Sequence, residues 1–323
     1  MKTIWRIGVL LTGFVLLVFA LKRTGSGRVV GELHAISGAL VVILALSLIR
    51  LRLQTQSWAL ALREDCVDSD TSELMFLRLA SQGIGYLTVL GPAASEPMKI
   101  KLLEHHRGSA TAATLVDTGA YWMSAGLVLI AGSVSTTFLL TRNHAASILL
   151  AALVAAGLCL LARPGVILSS LVLRLGKRSP GWLTKATRIE YEIRGFAEAH
   201  PATIRRMFGL DLACQALLLA EVAVALYFLH LPLRAGPVLS IEAAGRAVRL
   251  LGGWMPARIG ADEGGAAAAF AALGFPAAAG LALALARRLR DMLASLIGLI
   301  WLAWRIRANE DSSILTGAVQ CKL

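Results

Sequence analysis

The sequence predicts an all-α polytopic membrane protein, with about six full spans plus two re-entrant helical hairpins arranged as an inverted repeat. Three observations carry that prediction. Hydrophobic residues fill 57% of the 323 positions and charged residues only 16%, against about 25% charged in soluble domains. Six apolar runs reach the ~20 residues that a spanning helix needs. Two further runs are broken by glycine and proline and then resume.

The first run, 4–21, follows Lys2 and contains Arg6, and no small-x-small site separates Ala20 from Lys22 and Arg23. That pattern predicts a retained anchor and not a removed signal peptide. The second run is 33–53. After it, Glu64-Asp-Cys-Val-Asp-Ser-Asp70 is acidic but lacks the glycine and the closing glutamate of a calcium loop, whereas Asp70 with Glu73 resembles a capping box. It reads as a solvated helix start. Residues 74–90 then run into Gly91-Pro92 and resume to about 106. Proline after glycine stops a helix, because it has no N–H donor and its ring clashes with the preceding turn.

Spans at 110–133 and 145–162 follow, then a basic connection with Arg163, Arg174, Lys177, Arg178, Lys185, Arg188 and Arg194. Its later part, with Glu190, Glu192, Glu198 and Arg205, reads as an interfacial helix. Span 208–230 leads to the second broken run, where 238–252 meets Gly252-Gly253 and Pro256 and resumes over 262–273. The last span is 276–304. The return arms, Ser95 to Glu104 and Asp262 to Leu273, are only ~15–18 Å long. They cannot span alone, so each broken run is predicted to leave by the face it entered, its irregular backbone buried in protein.

Basic loops belong in the cytoplasm. That rule puts 163–207 and the Arg305, Arg307 end inside, and predicts a bacterial inner-membrane protein with both termini cytoplasmic. The loop 22–32, with Lys22, Arg23 and Arg28, is the outlier. The whole chain reads as one transmembrane domain of two repeats, about 1–135 with hairpin 74–106 and about 145–305 with hairpin 238–273. Each half runs span, span, hairpin, span, and a glycine (Gly108, Gly274) opens each third span. Three spans per half is odd, so the halves must be inverted.

The formal charge of +12 would suit nucleic acid, but the basic residues flank apolar runs and no nucleic-acid partner is expected. Cys66, Cys159, Cys214 and Cys321 are far apart without CxxC, so neither a disulfide framework, a metal site nor a cofactor is expected. His105 and His106 are not at ligand spacing and read as membrane-surface residues.

Ionisable groups inside apolar runs are costly and mark function by default. Glu221, Asp117 and Glu263 qualify, as do Arg287, Arg288, Arg290 and Asp291 in the last span. Forked guanidinium donors suit phosphate, so Arg287 or Arg288 is expected to face a wet cavity with Glu263 and Glu221. The plainer alternative is that these charges pair to lock helices. Asp262 reads as a capping carboxylate. Gly260 to Ala269 makes a face of small residues suited to close packing. Glu96 and Lys99 are placed to pair across one turn, as are Glu242 and Arg246.

Met255-Pro-Ala-Arg-Ile-Gly-Ala-Asp-Glu263-Gly-Gly, then Ala-Leu-Gly-Phe-Pro and Leu-Ala-Arg-Arg-Leu-Arg-Asp291, resembles the signature of the lysylphosphatidylglycerol synthase transmembrane-region family. The first-half segment Gly91-Pro-Ala-Ala-Ser-Glu-Pro-Met-Lys-Ile-Lys-Leu-Leu is similar to that family's matching hairpin. The Asp-Glu-Gly-Gly and Arg-Arg-Leu-Arg-Asp forms look most like its hopanoid-biosynthesis-associated, flippase-like subgroup. The usual Pro-Gly-Gly is here Pro-Ala-Arg, which places Arg258 at the hairpin tip. Glu96, Lys99, Glu263 and Arg287 match motif positions. The resemblance implies lipid movement between leaflets. With no aminoacyl-transferase domain after the last span, synthase activity is not expected.

The expected function is therefore inner-membrane lipid translocation or lipid handling, for hopanoid or anionic lipids, with Arg258, Arg287 or Arg288 on the headgroup. The partners are membrane lipids, with lipid-biosynthesis enzymes as further candidates. Two alternatives stand beside it: a membrane-embedded enzyme acting on a lipid phosphate, and a scaffold for lipid-biosynthesis enzymes.

Overall fold

The computed structural model describes residues 26–64, 70–88, 92–107, 111–142, 144–162, 181–252 and 258–320. Among the described residues are ten helices and no strand. They are α1 (Ser26–Glu64), α2 (Thr71–Leu87), α3 (Pro92–Arg107), α4 (Thr111–Thr141), α5 (His144–Ala162), α6 (Gly181–Ala199), α7 (Pro201–Phe228), α8 (Ala235–Leu251), α9 (Ala261–Ala272) and α10 (Ala277–Gln320). The predicted first span, 4–21, and most of the basic connection lie outside the described residues.

Three helical stretches are long and apolar enough to cross a membrane, His34–Glu64, Thr111–Thr141 and Pro201–Phe228. They fit a membrane protein and contain all but the first residue of the predicted spans 33–53 and 110–133 and most of 208–230. The predicted span 145–162 lies on α5, whose His144–Ala156 stretch is apolar but short. The predicted span 276–304 lies on α10, where Arg287, Arg288, Arg290 and Asp291 interrupt the apolar run. That helix has two faces. Leu289, Leu293, Leu296 and Ile300 are exposed along one, at helical spacing, while Arg290 is buried on the other.

Both predicted breaks occur. α2 ends at Leu87 and α3 begins with Pro92, at the first helical position where a missing donor costs little. The return arm thus starts before the predicted Ser95. At 16 residues it is about 24 Å long, still short of the ~30 Å hydrocarbon core. α9, at 12 residues, is about 18 Å. At the second break Arg258 and Gly260 have φ of 49° and 81°. The left-handed backbone costs glycine little, but costs arginine about 1–2 kcal/mol.

The expected capping box at α2 is only half formed. Asp70 accepts from the Ser72 backbone N–H and hydroxyl, which holds its carboxyl below the ordinary value. Glu73 turns away to Arg305 on α10, 2.6 Å from Nη2.

α1 and α7 pack antiparallel along the middle of the bundle. Thr203 Oγ1 donates to Glu64 Oε1 at 2.6 Å at one end, Cys214 Sγ reaches the Arg50 carbonyl at 3.7 Å midway, and Gly38 lies under the Phe228 ring at the other end. One apolar core, including Ile36, Ile43, Val222, Leu226, Phe270 and Leu283, surrounds the Gly38 end. A second, including Trp58, Leu62, Leu77, Val116 and Met207, surrounds the Glu64 end. α2 follows α1 and so starts at the Glu64 end; α8 follows α7 and starts at the other.

Four of the remaining kinds of contact recur between the halves, whereas those of α4 with α5, α1 and α6 have no counterpart among the described residues. α10 packs on α2 as α4 packs on α8; α10 packs on α1 as α4 packs on α7; α2 meets α3 as α8 meets α9; and α3 meets α4 as α9 meets α10. Close backbone approach fixes the first of these pairs. A Cβ on Gly298 of α10 would lie 2.3 Å from the Leu79 carbonyl carbon of α2, and one on Gly132 of α4 would lie 2.6 Å from the Leu239 carbonyl oxygen of α8. Only glycine fits at either crossing.

Gly298→Ala and Gly132→Ala should each lower the thermal unfolding midpoint in detergent, since overpacking against backbone costs about 1–3 kcal/mol. Gly209→Ala, with nothing within 4 Å of the new methyl, should leave it unchanged or raise it. Equal behaviour of the three variants would contradict the packing described.

Candidate functional site

α10 carries a run of arginines into the bundle, and every one meets carboxylates from other helices or its own. Arg287 donates from Nε to Glu221 Oε1 of α7 at 2.7 Å and from Nη2 to Glu242 Oε2 of α8 at 2.9 Å. Arg290 donates from Nη1 to the other oxygen of Glu221, and from Nε and Nη2 to Asp291 Oδ1 at 3.0 and 2.9 Å. Glu242 has no exposed surface. It also faces Arg246 Nε and Arg249 Nη2, each at 3.2 Å. A carboxylate buried so completely persists only because cations surround it.

The network continues to the second hairpin. Asp291 Oδ2 lies 3.9 Å from Arg258 Nη2, and Arg258 Nε lies 3.0 Å from Asp262 Oδ2. Arg288 Nε pairs with Glu263 at 2.7 Å, and its Nη2 donates to the Arg258 carbonyl at 3.3 Å. Glu263 Oε2 accepts from the Gly260 N–H at 2.9 Å, closing the first turn of α9. These bonds grip the left-handed backbone at Arg258 from both sides. Tyr86, at the end of α2, is within electrostatic reach of Arg258, Arg288, Asp291 and Glu263.

Charge does not balance here. Six arginines (246, 249, 258, 287, 288 and 290) face five carboxylates (Glu221, Glu242, Glu263, Asp262 and Asp291). Arg50 of α1 adds a further cation, within electrostatic reach of Glu221, Asp291, Arg290 and Tyr121. Among the described residues its guanidinium makes no hydrogen bond or ion pair. Its forked donors, of the kind that suit an anion, thus have no protein partner among the described residues.

A second polar group lies in the other half. Arg78 of α2 pairs with Asp117 of α4 at 2.9 Å and donates to the Gln54 carbonyl. Lys99 Nζ donates to both oxygens of Glu96 at 2.9 and 3.0 Å, and Thr118 Oγ1 donates to Glu96 at 2.7 Å. Arg78 and Lys99 both stand 5.9 Å from the centre of the buried Trp58 ring, and Trp58 Nε1 donates to Thr114. Gln215 ties the arginine network to α4, donating to Ser124 at 2.9 Å and accepting from Arg246 at 2.6 Å.

The residues predicted from sequence thus fall into two sets. Glu221, Glu263, Arg258, Arg287 and Arg288 share one network, while Glu96, Lys99 and Asp117 belong to the other group. Glu96 and Lys99 pair as expected. Glu242 and Arg246 do pair at i,i+4, but Glu242 is the hub of the arginine network and no mere helix stabiliser. Asp262 meets Arg258 as well as sitting in the first turn of α9. Gly265 lies under Val248, where a Cβ would come within 2.4 Å, so the small face of α9 serves close packing. Arg50, Arg78, Asp211 and Gln215 went unnoticed in the sequence, although each interrupts an apolar run.

A separate cavity of about 310 Å³, lined by Gln56, Ala59, Leu60, Arg63, Thr71 and Leu210, lies at the Glu64 end of α1. Among the described residues no cluster of three or more histidine, cysteine, aspartate or glutamate side chains could hold a metal ion. No family model, curated protein or solved structure matches the chain.

Glu242→Ala should destabilise the protein by about 3–5 kcal/mol, because it strands buried arginines without a counter-charge. Adding Arg287→Met should recover part of that loss. Thermal unfolding in detergent checks both, and a Glu242→Ala midpoint equal to wild type would contradict a hub role.

Proposed function

We propose that the protein is an inner-membrane lipid translocator or lipid-handling protein that engages an anionic headgroup on its buried arginines, while the apolar part of the lipid stays in the bilayer. The observation that carries this is the surplus of guanidinium groups inside a bundle of membrane-crossing length, with Arg50 unpaired among the described residues. A charge at that depth requires an anion. Structural pairing accounts for the carboxylates but leaves cations over, and a phosphate or carboxylate headgroup matches a planar forked donor.

In this reading α2–α3 and α8–α9 are re-entrant hairpins and the two halves form an inverted repeat of one domain. Several features support it. The hairpins begin at opposite ends of the antiparallel α1–α7 pair, and the contacts of α2, α3, α8 and α9 with the third spans pair off between halves. α2 and α8 are both 17 residues long, and each carries at its eighth position a charge that pairs with the third span of its own half. The polarity is reversed: Arg78 meets Asp117, and Glu242 meets Arg287. Gly132 and Gly298 lie equally far along the chain from Gly108 and Gly274.

Within this arrangement Arg50 docks the headgroup, and Arg287 and Arg290 share their charge with it through Glu221. Arg258, Arg288 and Tyr86 form the approach beside the hairpin tip. The resemblance to the lysylphosphatidylglycerol synthase transmembrane region, and to its hopanoid-associated subgroup, points to the same class of cargo. With both termini cytoplasmic, the Glu64 end is the inner face.

Leaflet exchange of headgroup-labelled lipids in liposomes tests the proposal. Wild type should exchange anionic lipid faster than zwitterionic lipid. Arg50→Gln, losing a charge-assisted bond worth about 1.5–3 kcal/mol, should cut the anionic rate by about tenfold or more while the protein stays folded. Equal rates for Arg50→Gln and wild type, or no exchange by folded wild type, would contradict it.

A further inference from the structure

We propose that Asp211 is a proton-carrying acid at the centre of the bundle. It lies on α7 in Met207-Phe-Gly-Leu-Asp211-Leu-Ala-Cys214, one turn before Gln215, and is 1% exposed. Its Oδ2 has no hydrogen-bond partner, and neither has Oδ1 of the fully buried Asp117. The register of α1 against α7, set by the Thr203–Glu64 and Cys214–Arg50 contacts, puts Asp211 level with the turn from Gln54 to Ser57. There the Ser57 hydroxyl is likewise buried without a partner.

The charges around Asp211 do not cancel. Asp117 on α4 and Arg78 on α2 are the charged groups that act on it. Arg78 is already bound to Asp117 and to the Gln54 carbonyl. Every other neighbouring element sends its charges elsewhere. Arg50 of α1 faces Glu221 and Asp291, and Lys99 of α3 is held by Glu96. Arg246 and Glu242 of α8 meet Gln215 and Arg287, while Arg287 and Arg290 of α10 meet Glu221. α6 presents Phe196 to the core around Met207. Asp211's own helix adds Cys214, a buried thiol.

Two carboxyl groups thus share one guanidinium. A second carboxylate there, with no donor bonded to it and almost no exposed surface, is strongly unfavourable, and the remedy open to a carboxylic acid is to bind a proton. Four polar atoms in this cluster lack bonds, Ser57 Oγ, Arg78 Nε, Asp117 Oδ1 and Asp211 Oδ2; the oxygens of Ser57 and Asp117 are acceptors for the O–H that protonation creates. A metal cation would need more oxygen ligands than these carboxyl groups supply, and no cluster of three metal-binding side chains is present among the described residues. Asp211 and Gln215 are neighbours on one helix face, and Gln215 is bound to Arg246. A proton on Asp211 is therefore one turn from the arginine network. This inference concerns the proton alone and does not rest on the lipid reading.

Infrared difference spectroscopy on the full-length protein in detergent tests it. The wild type should show, at neutral pH, the carbonyl stretch of a protonated carboxylic acid. Asp211→Asn should remove that band and keep the wild-type thermal midpoint, because the amide has the shape of the neutral acid. Asp117→Asn frees Arg78 for Asp211, so it should also abolish the band, through ionisation of Asp211. A band that survives undiminished in Asp211→Asn would overturn the proposal. So would an unfolded Asp211→Asn protein, or a thermal midpoint raised by sodium but not by potassium or choline in wild type alone.

Discussion

A guanidinium buried inside a helical bundle needs a counter-charge, and the arrangement of this bundle follows from that requirement. Arg287 reaches two carboxylates on two other helices, Glu221 on α7 and Glu242 on α8, so it fixes three helices relative to one another in a single step. The second hairpin is then held against α10 through Arg288 and Glu263. Arg78 and Asp117 do the same work between α2 and α4. Close glycine crossings at Gly132 and Gly298 bring the helices near enough for those side chains to meet. The apolar cores add area, but the ion pairs decide which helix faces turn inward.

The two polar groups carry opposite imbalances. Around Glu221 and Glu242 arginine is in excess, and around Asp117 and Asp211 carboxyl groups are. Gln215, one turn from Asp211, joins the first to α4 through Ser124. An anion on the first would reduce its surplus of cations, and a proton on the second would cancel its surplus of carboxylate. That is an economical layout for a membrane interior, where net charge is costly.

Much of this was legible in the chain. The helical class, both proline breaks and the pairs Glu96–Lys99 and Glu242–Arg246 follow from local spacing, and local spacing survives folding. Partner choice across helices did not, because it depends on crossings that no window of sequence contains. Glu242 looked like one end of an i,i+4 pair, and its bond to Arg287, far along the chain, was invisible. Arg78, Arg50 and Asp211 had the right signal, a lone charge in an apolar run, but each stands near the edge of a run, where a solvated position is the ordinary reading. The last span looked apolar around its charges, whereas α10 keeps only one face apolar.

The central proposal is that two similar hairpins, each tied to the third span of its half by a buried arginine–carboxylate pair, enter from opposite faces of the membrane. Thiol accessibility tests it most directly, with Asp70→Cys and Leu233→Cys introduced singly into a cysteine-free chain. An impermeant reagent should label the Asp70 position from the cytoplasmic face only and the Leu233 position from the outer face only. Labelling of both positions from the same face would contradict the account.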